Sequence, residues 1–191
     1  ALDNNGFPKS RNIKQLIFYL KYFILVREWY KESQINVPEH INETIYHLGQ
    51  GYAFTWQNIG SDLLYNGNNI SKNDDFDNYL KRLGYKFKSE SLDLGGYIIL
   101  KNKKICLTMD TGSTPNTKYT KDYQSGALSF EILSNGKKLF SNCGYYKKDN
   151  LKLNELSKSS ASQNTLIVDD NSSCKYMKVN NSLLIKKGLK I

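Results

Sequence analysis

The stretch that decides the fold is residues 127–143, ALSFEILSNGKKLFSNC. Two runs that contain apolar residues, 127–134 and 137–143, flank the dipeptide Asn135-Gly136. Asparagine followed by glycine favours positive φ at both positions, which is the backbone of a tight two-residue hairpin turn. These residues therefore predict an antiparallel β-hairpin, and the sequence on either side indicates what that hairpin joins.

Short strands are also predicted elsewhere from about Gly95 onward. Residues 97–100 and 105–109 are rich in β-forming side chains, and the polar run between them predicts a second hairpin. Three further strands are predicted, over residues 166–168, 176–179 and 183–185. Residues 145–162 are polar and rich in Lys and Ser, so they predict a long loop.

The part of the chain before the strands predicts helices. Ser10 is the predicted N-cap of a first helix that ends near Ser33, and a second helix begins near Pro38. Both carry an apolar face at helical spacing. The side chains of these faces are Ile13, Leu16, Ile17, Leu20, Ile24 and Trp29 in the first helix, and Ile41, Ile45, Leu48 and Tyr52 in the second.

A third, shorter helix is predicted with Asp74 as its cap and Gly84 as its C-terminal stop. Residues 58–73, rich in Asn and Gly, predict a loop before it. Helices followed by strands, without alternation, predict either an α+β fold or two domains. We expect a helical part over residues 1–88 and an antiparallel β part over residues 89–191.

The formal net charge is +9, and arginine occurs only at Arg11, Arg27 and Arg82, so nearly all of the positive charge comes from lysine. A basic surface attracts polyanions, whether nucleic acid, anionic lipid or acidic polysaccharide, although lysine-rich composition also serves solubility alone. The lysines are scattered and no helix-turn-helix or RNA-binding motif is present, so no nucleic-acid partner is expected. No apolar run reaches the roughly 18 residues that a membrane helix needs.

The three cysteines, Cys106, Cys143 and Cys174, include no CxxC pair, which argues against a zinc cluster or a thioredoxin-like site. Cys106 and Cys143 both fall in predicted strands. They could pair there, or remain buried free thiols.

Six separated segments, in the same order, resemble the heparinase II/III-like polysaccharide lyase family of the alphaproteobacterial type. The segments are residues 3–12 (DNNGFPKSRN), 64–67 (LYNG), 95–112 (GGY to LTMDTG), 124–131 (QSGALSFE), 142–144 (NCG) and 162–170 (SQNTL to DD). The resemblance implies the last helices of an (α/α) toroid followed by the first strands of an antiparallel β-sandwich. It also implies a missing upstream toroid segment of the same protein, an acidic polysaccharide as partner, and a location in the periplasm or cell envelope. Residues 1–12 are polar and contain no signal peptide.

The chain departs from the family pattern at histidine positions. Gln124 and Gln163 stand where the family usually carries His, and Phe7 lies in the region of another. In the family these histidines serve catalysis or bind zinc, whereas a glutamine amide does not titrate and is a poor zinc ligand. We therefore expect no cofactor, and we expect the zinc site of the family to be lost.

A polysaccharide lyase that acts by β-elimination must neutralise a uronic-acid carboxylate, remove the neighbouring carbon-bound proton and protonate the leaving oxygen. No catalytic residue is assigned in this chain, because the resemblance puts the family's Tyr and His proton-transfer groups upstream. The chain alone is therefore expected to show no turnover. The candidate substrate contacts are Arg11, Asn12, Tyr65, Asn66, Gln124 and Gln163.

Each candidate also has a structural interpretation. Arg11 could form an ion pair, Asn66 could form a turn, and Gln124 could cap a strand end. Tyr52 and Trp56 are further candidates for stacking on a sugar face. The alternative to a lyase is a non-catalytic glycan-binding or structural module that has lost the family's histidines.

Overall fold

Helices come first along the chain and strands follow, with one short α-helix among the described strands, which confirms the predicted α+β class. The computed structural model describes residues 1–57, 59–70, 74–147, 150–180 and 182–190. The helices are α1 (Ile13–Glu32), α2 (Glu39–Tyr52), α3 (Asp74–Arg82) and α4 (Leu151–Lys158). The strands are β1 (Asp93–Leu94), β2 (Tyr97–Lys101), β3 (Ile105–Asp110), β4 (Phe130–Ser134), β5 (Lys137–Phe140), β6 (Lys175–Val179) and β7 (Ser182–Lys187).

The first helix begins two residues later than its predicted cap. The N-cap of α1 is Asn12, whose Oδ1 accepts a hydrogen bond from the Gln15 N–H at 3.1 Å. Ser10 supports this cap from outside the helix, because its Oγ accepts the Asn12 N–H at 3.2 Å. The prediction that Ser10 is the cap was therefore wrong, and the reason is that two capping residues stand two positions apart.

Helices α1 and α2 pack against each other as a helical hairpin. Leu16, Leu20 and Ile24 are fully buried along α1, as the apolar periodicity predicts. One buried position of α2 requires glycine: a Cβ on Gly49 would lie 2.0 Å from Cδ1 of Phe87. The aromatic ring of Phe87 therefore reaches the backbone of α2 directly.

The strands form a five-stranded antiparallel meander in the order β1-β2-β3-β4-β5, and a separate two-stranded hairpin of β6 and β7. Asn135 and Gly136 form the predicted turn between β4 and β5, with φ of 49° and 76°. The hairpin predicted around residues 101–104 joins β2 to β3.

The helices and the meander share one hydrophobic core. Leu63 and Tyr65, which precede α3, belong to the same buried cluster as Tyr97, Cys106 and Leu133 of the sheet. This shared core fixes the start of α1 against the sheet. The division into residues 1–88 and 89–191 stays a prediction.

Two predicted elements differ from the structure. Residues 145–162 were predicted as a loop but contain α4, which Asn150 caps by accepting the Leu153 N–H at 3.2 Å. Residues 166–168 were predicted as a strand, but they form only an isolated bridge between Val168 and Asn171. Leu166 is 79% exposed, so this short apolar run has no packing partner within the described chain to hold it in a sheet.

Several smaller expectations concern loops, cysteines and membranes. Of the predicted loop over residues 58–73, residues 59–70 contain no helix or strand, and residues 58 and 71–73 lie outside the described residues. The three cysteines are free thiols, with Cys106 and Cys174 buried and Cys143 exposed. No helix among the described residues is long and apolar enough to cross a membrane.

Candidate functional site

A groove runs along the junction between the start of α1 and the loop that follows β3. It consists of three adjoining cavities of about 440, 180 and 290 Å³. Tyr119 lines both the first and the second cavity, and Asn12, Gln15 and Asp122 line both the second and the third. We call these three cavities together the junction groove.

The junction groove carries more positive than negative charge. Among the described residues that line it, five are lysines: Lys9, Lys14, Lys118, Lys121 and Lys147. Three are aspartates: Asp3, Asp93 and Asp122. An excess of exposed ammonium groups in a cleft raises the local concentration of anionic ligands. The groove is therefore electrostatically suited to a polyanion.

Arg11 closes one wall of the groove from inside the protein. Its Nη2 forms an ion pair with Oδ1 of Asp110 at 2.5 Å and donates to the carbonyl oxygen of Gly96 at 2.7 Å. Its Nε donates to the carbonyl oxygen of Gly95 at 3.1 Å, and its Nη1 donates to that of Gly112 at 2.9 Å. The guanidinium thus connects the segment before α1 to the turn that precedes β2 and the turn that follows β3, which lie at the same end of this antiparallel pair.

The backbone around this ion pair depends on glycine. Arg11 itself has a left-handed backbone, with φ of 57°. Gly96 has φ of 79°, and a Cβ there would lie 2.7 Å from Nη2 of Arg11. The close approach of the guanidinium to the main chain explains why glycine stands at this position.

Asp110 is the centre of a buried polar network. Its Oδ2 accepts a hydrogen bond from Nδ2 of Asn66 at 2.8 Å, and the same amide donates to Oη of Tyr97 at 2.7 Å. Tyr97 in turn donates to the carbonyl oxygen of Arg11 at 2.6 Å. Burial raises the pKa of the Asp110 carboxyl, and the charge of Arg11 together with hydrogen bonds from Arg11, Asn66 and Gly112 opposes that effect.

The buried tyrosines of the network are hydrogen-bond donors rather than bases. Tyr65 donates to the carbonyl oxygen of Thr108 at 2.9 Å. Burial raises the pKa of Tyr65, Tyr97 and Tyr123 above the ordinary value for a phenol. These three phenols therefore stay protonated at neutral pH.

Gln124 ties three segments together through its side-chain amide. Its Nε2 donates to the carbonyl oxygens of Ser157, at 2.6 Å, and Gly144, at 3.1 Å. Its Oε1 accepts the N–H of Gly67 at 3.2 Å. Every polar atom of this amide is thus engaged with the protein main chain.

Gln163 donates a hydrogen bond to the same carbonyl oxygen as Gln124. Its Nε2 donates to the carbonyl oxygen of Ser157 at 3.3 Å and to Oγ of Ser162 at 3.0 Å. Both amides therefore direct N–H groups, and not oxygen lone pairs, at the carbonyl oxygen of Ser157. Zinc needs lone pairs from His, Cys or carboxylate groups, so the donor set at Gln124 and Gln163 does not fit it. No cluster of three such side chains occurs among the described residues.

The structure separates the sequence candidates into two groups. Arg11 and Asn12 line the junction groove. Tyr65, Asn66, Gln124 and Gln163 are buried and bond to other protein groups. The two aromatic candidates outside this set, Tyr52 and Trp56, both donate to the carboxylate of Asp77 between α2 and α3.

Sequence reasoning missed Lys158, the buried cation at the end of α4. Its Nζ donates to the carbonyl oxygens of Lys121 and Leu183, and it lies 5.9 Å from the ring of Tyr145 and 5.7 Å from that of Tyr176. Burial lowers the pKa of Lys158 to about 8. The polar composition of residues 145–162 predicted a loop, so nothing in that segment indicated a buried side chain. Lys118, Tyr119 and Lys121 were also missed, because the side chains of a short turn have no periodic pattern.

The comparisons with known proteins give a family from one family model and a fold from solved structures. The family model for the heparinase II/III-like C-terminal domain matches residues 86–188, just over half of the chain. No curated protein sequence matches significantly.

Solved structures of two heparinases and of one heparan sulfate lyase share the fold. A heparinase III gene product matches with a TM-score of 0.71 and 15% identity, over 90% of this chain and 31% of its own. A second heparinase III matches with a TM-score of 0.70 and 15% identity, over 93% of this chain and 35% of its own. The heparan sulfate lyase HepC from Pedobacter heparinus matches with a TM-score of 0.69 and 12% identity, over 96% of this chain and 34% of its own.

The chain thus spans about a third of the length of these structures, and it shares their arrangement of toroid helices followed by β-sandwich strands. The shared fold is consistent with the family model, and the match of that model over more than half of the chain shows the family. The chain belongs to the heparinase II/III-like family.

Proposed function

We propose that this chain forms part of the substrate cleft of a polysaccharide lyase, and that the lyase cleaves a uronic-acid-containing polysaccharide by β-elimination. The observation that supports this most directly is the junction groove, which lies where the helical part meets the sheet and is lined by five lysines against three aspartates. Family membership supplies the reaction class. The acidic polysaccharide follows from the charge of the groove.

The residues of the groove are suited to one of the three tasks of β-elimination. The ammonium groups of Lys14 and Lys118 and the amide of Asn12 can neutralise a carboxylate and so stabilise the charge that develops when the neighbouring proton leaves. The phenol of Tyr145 lines the groove and donates to Oδ1 of Asp122 at 3.1 Å. Burial raises the pKa of Tyr145 to about 12, so this phenol stays protonated at neutral pH and does not act as the base.

The base of the reaction is not assigned to this chain. We propose that it is supplied by an upstream toroid segment of the same protein, and that the protein acts in the periplasm or cell envelope, as the family resemblance implies. The chain alone is then a cleft wall and not a complete catalyst.

The test is to incubate the complete product of the gene with heparan sulfate, heparin and alginate, and to follow the ultraviolet absorbance of the unsaturated product. Absorbance that rises with one of these substrates is the expected result. The 191-residue chain alone serves as the control and should give no signal. A complete protein that produces no unsaturated product from any acidic glycan would count against the lyase.

A non-catalytic glycan-binding module is the second candidate. The observation that favours it is the pair of amides at Gln124 and Gln163, which bond to main-chain carbonyl groups and cannot transfer protons. Binding of an acidic glycan without turnover by the complete protein would select this alternative.

We also propose that the protein needs no zinc, because the donor set at Gln124 and Gln163 presents N–H groups. Treatment with a chelator, followed by removal of the chelator, should leave the unfolding temperature unchanged, and added zinc should not raise it. A lower unfolding temperature after chelation, restored by zinc, would show that a metal site exists after all.

A further inference from the structure

The turn of residues 116–121 lies at the point where two cavities of the junction groove meet. Thr117–Tyr119 form one turn of 3₁₀ helix, and Asn116 caps it by accepting the Lys118 N–H through Oδ1 at 3.3 Å. Tyr119 lines the two cavities of about 440 and 180 Å³, and its side chain is half-buried. A ligand that lies along the groove must pass this ring.

The turn is hydrogen-bonded to β7 and to the end of α4. Oγ1 of Thr117 donates to the carbonyl oxygen of Ile185 at 3.1 Å, and Oγ1 of Thr120 accepts the N–H of Ile185 at 3.0 Å. Thr120 is fully buried. The ammonium group of Lys158 donates to the carbonyl oxygen of Lys121. Strand β7 and helix α4 therefore fix the turn, so little conformational entropy is lost when a ligand docks on it.

The exposed side of the turn combines an aromatic ring with cations. Nζ of Lys118 lies 5.0 Å from the centroid of the Tyr119 ring, and Lys121 is exposed beside it. Lys9 lines the same cavity as Tyr119 from the segment before α1. Asp122, the acidic side chain nearest in the chain, accepts the hydroxyl of Tyr145. The carboxylate of Asp122 is thus engaged in one hydrogen bond, whereas the side chains of Lys118 and Lys121 line the groove.

We propose that Tyr119, Lys118 and Lys121 form a subsite for one acidic sugar unit. The apolar face of the sugar packs on the ring of Tyr119, and its carboxylate or sulfate group pairs with Lys118 and Lys121. This subsite deepens the proposed function and rests on it for the identity of the ligand. The planar ring sets the orientation of the sugar, and the two ammonium groups select an anionic sugar over a neutral one.

The experiment is isothermal titration calorimetry of the 191-residue chain with oligosaccharides of heparan sulfate, hyaluronan and dextran. Heparan sulfate carries sulfate and carboxylate groups, hyaluronan carries carboxylate groups alone, and dextran is neutral. Binding to heparan sulfate with no binding to dextran is expected. Equal binding to hyaluronan would identify the carboxylate as the recognised group, and much weaker binding would identify the sulfate.

Four variants test the residues themselves. We expect Tyr119→Leu to weaken binding about tenfold and Tyr119→Phe to weaken it less than about twofold, because phenylalanine keeps the ring. Lys118→Gln and Lys121→Gln should each weaken binding about threefold to tenfold. Circular dichroism and the unfolding temperature establish that each variant is folded.

The matched control is Lys103→Gln, which removes the same charge from the turn between β2 and β3. That turn is at the opposite end of β3 from Asp110, roughly 20 Å away at about 3.3 Å per residue. If Lys103→Gln weakens binding as much as Lys118→Gln, or if Tyr119→Leu binds normally, the subsite is wrong. A chain that binds no acidic oligosaccharide also overturns the subsite, whereas the lyase assay on the complete protein decides the proposed function separately.

Discussion

At Arg11 a permanently charged guanidinium is removed from water, and a buried charge of this kind costs several kcal/mol unless its partners compensate. Here the compensation comes from one carboxylate and from main-chain carbonyl groups of the β2–β3 region. Asp110, the partner carboxylate, is 1% exposed. Each member of this pair therefore depends on the other.

Replacement of Arg11 by methionine should destabilise the protein by about 3–5 kcal/mol, because it leaves the charge of Asp110 buried without a counter-ion. The free energy of unfolding in urea measures this effect. Arg82→Met is the control, since Arg82 is exposed in the last turn of α3 and should cost less than about 0.5 kcal/mol. A loss below about 1 kcal/mol for Arg11→Met would mean that the ion pair contributes little to the fold.

Sequence reasoning identified Arg11 as a group that binds a carboxylate, and the carboxylate found beside it belongs to the protein itself. Arg11 and Asp110 are 99 residues apart in the chain. No local pattern connects two such positions, so their pairing could not be predicted. The same holds for Gln124, whose partners Gly67 and Ser157 lie in segments far from it in sequence.

At the scale of the element, features with a local cause were predictable. The turn at Asn135-Gly136 follows from two adjacent residues that tolerate positive φ, and α1 follows from an apolar face over five turns. Helix α4 was not predictable because eight residues provide only two turns of periodicity, and several of its leucines are exposed. Short elements of this kind form because the tertiary structure holds them, as Lys158 does for α4.

At the scale of the whole molecule, the buried tyrosines make the free energy of unfolding fall at alkaline pH. The pKa values of Tyr65, Tyr97 and Tyr123 are raised by burial, so the folded state keeps protons that the unfolded state loses above about pH 10. The folded state then binds more protons, and the free energy of unfolding falls as the pH rises. Lys158 acts in the opposite sense between about pH 8 and its ordinary pKa, because its folded pKa is lowered to about 8.

We therefore expect the free energy of unfolding to decrease steadily above about pH 10. Urea unfolding at a series of pH values measures the decrease, and the phenolate absorbance reports which of the 14 tyrosines have titrated. In the folded chain several phenols should titrate only together with unfolding. If all of them titrate near pH 10 while the chain remains folded, the buried network is more open to water than its hydrogen bonds indicate.

The contacts of Arg11 also determine when the junction groove can form during synthesis of the chain. A ribosome releases the segment before α1 early, but the carbonyl groups and the carboxylate that receive the guanidinium emerge about a hundred residues later. Joining two points so far apart in the chain costs loop entropy that only a finished sheet can repay. The wall of the junction groove that Arg11 closes can therefore form only after β3 has emerged and folded back onto the helices, and the turn of residues 116–121 is fixed only after β7 has followed.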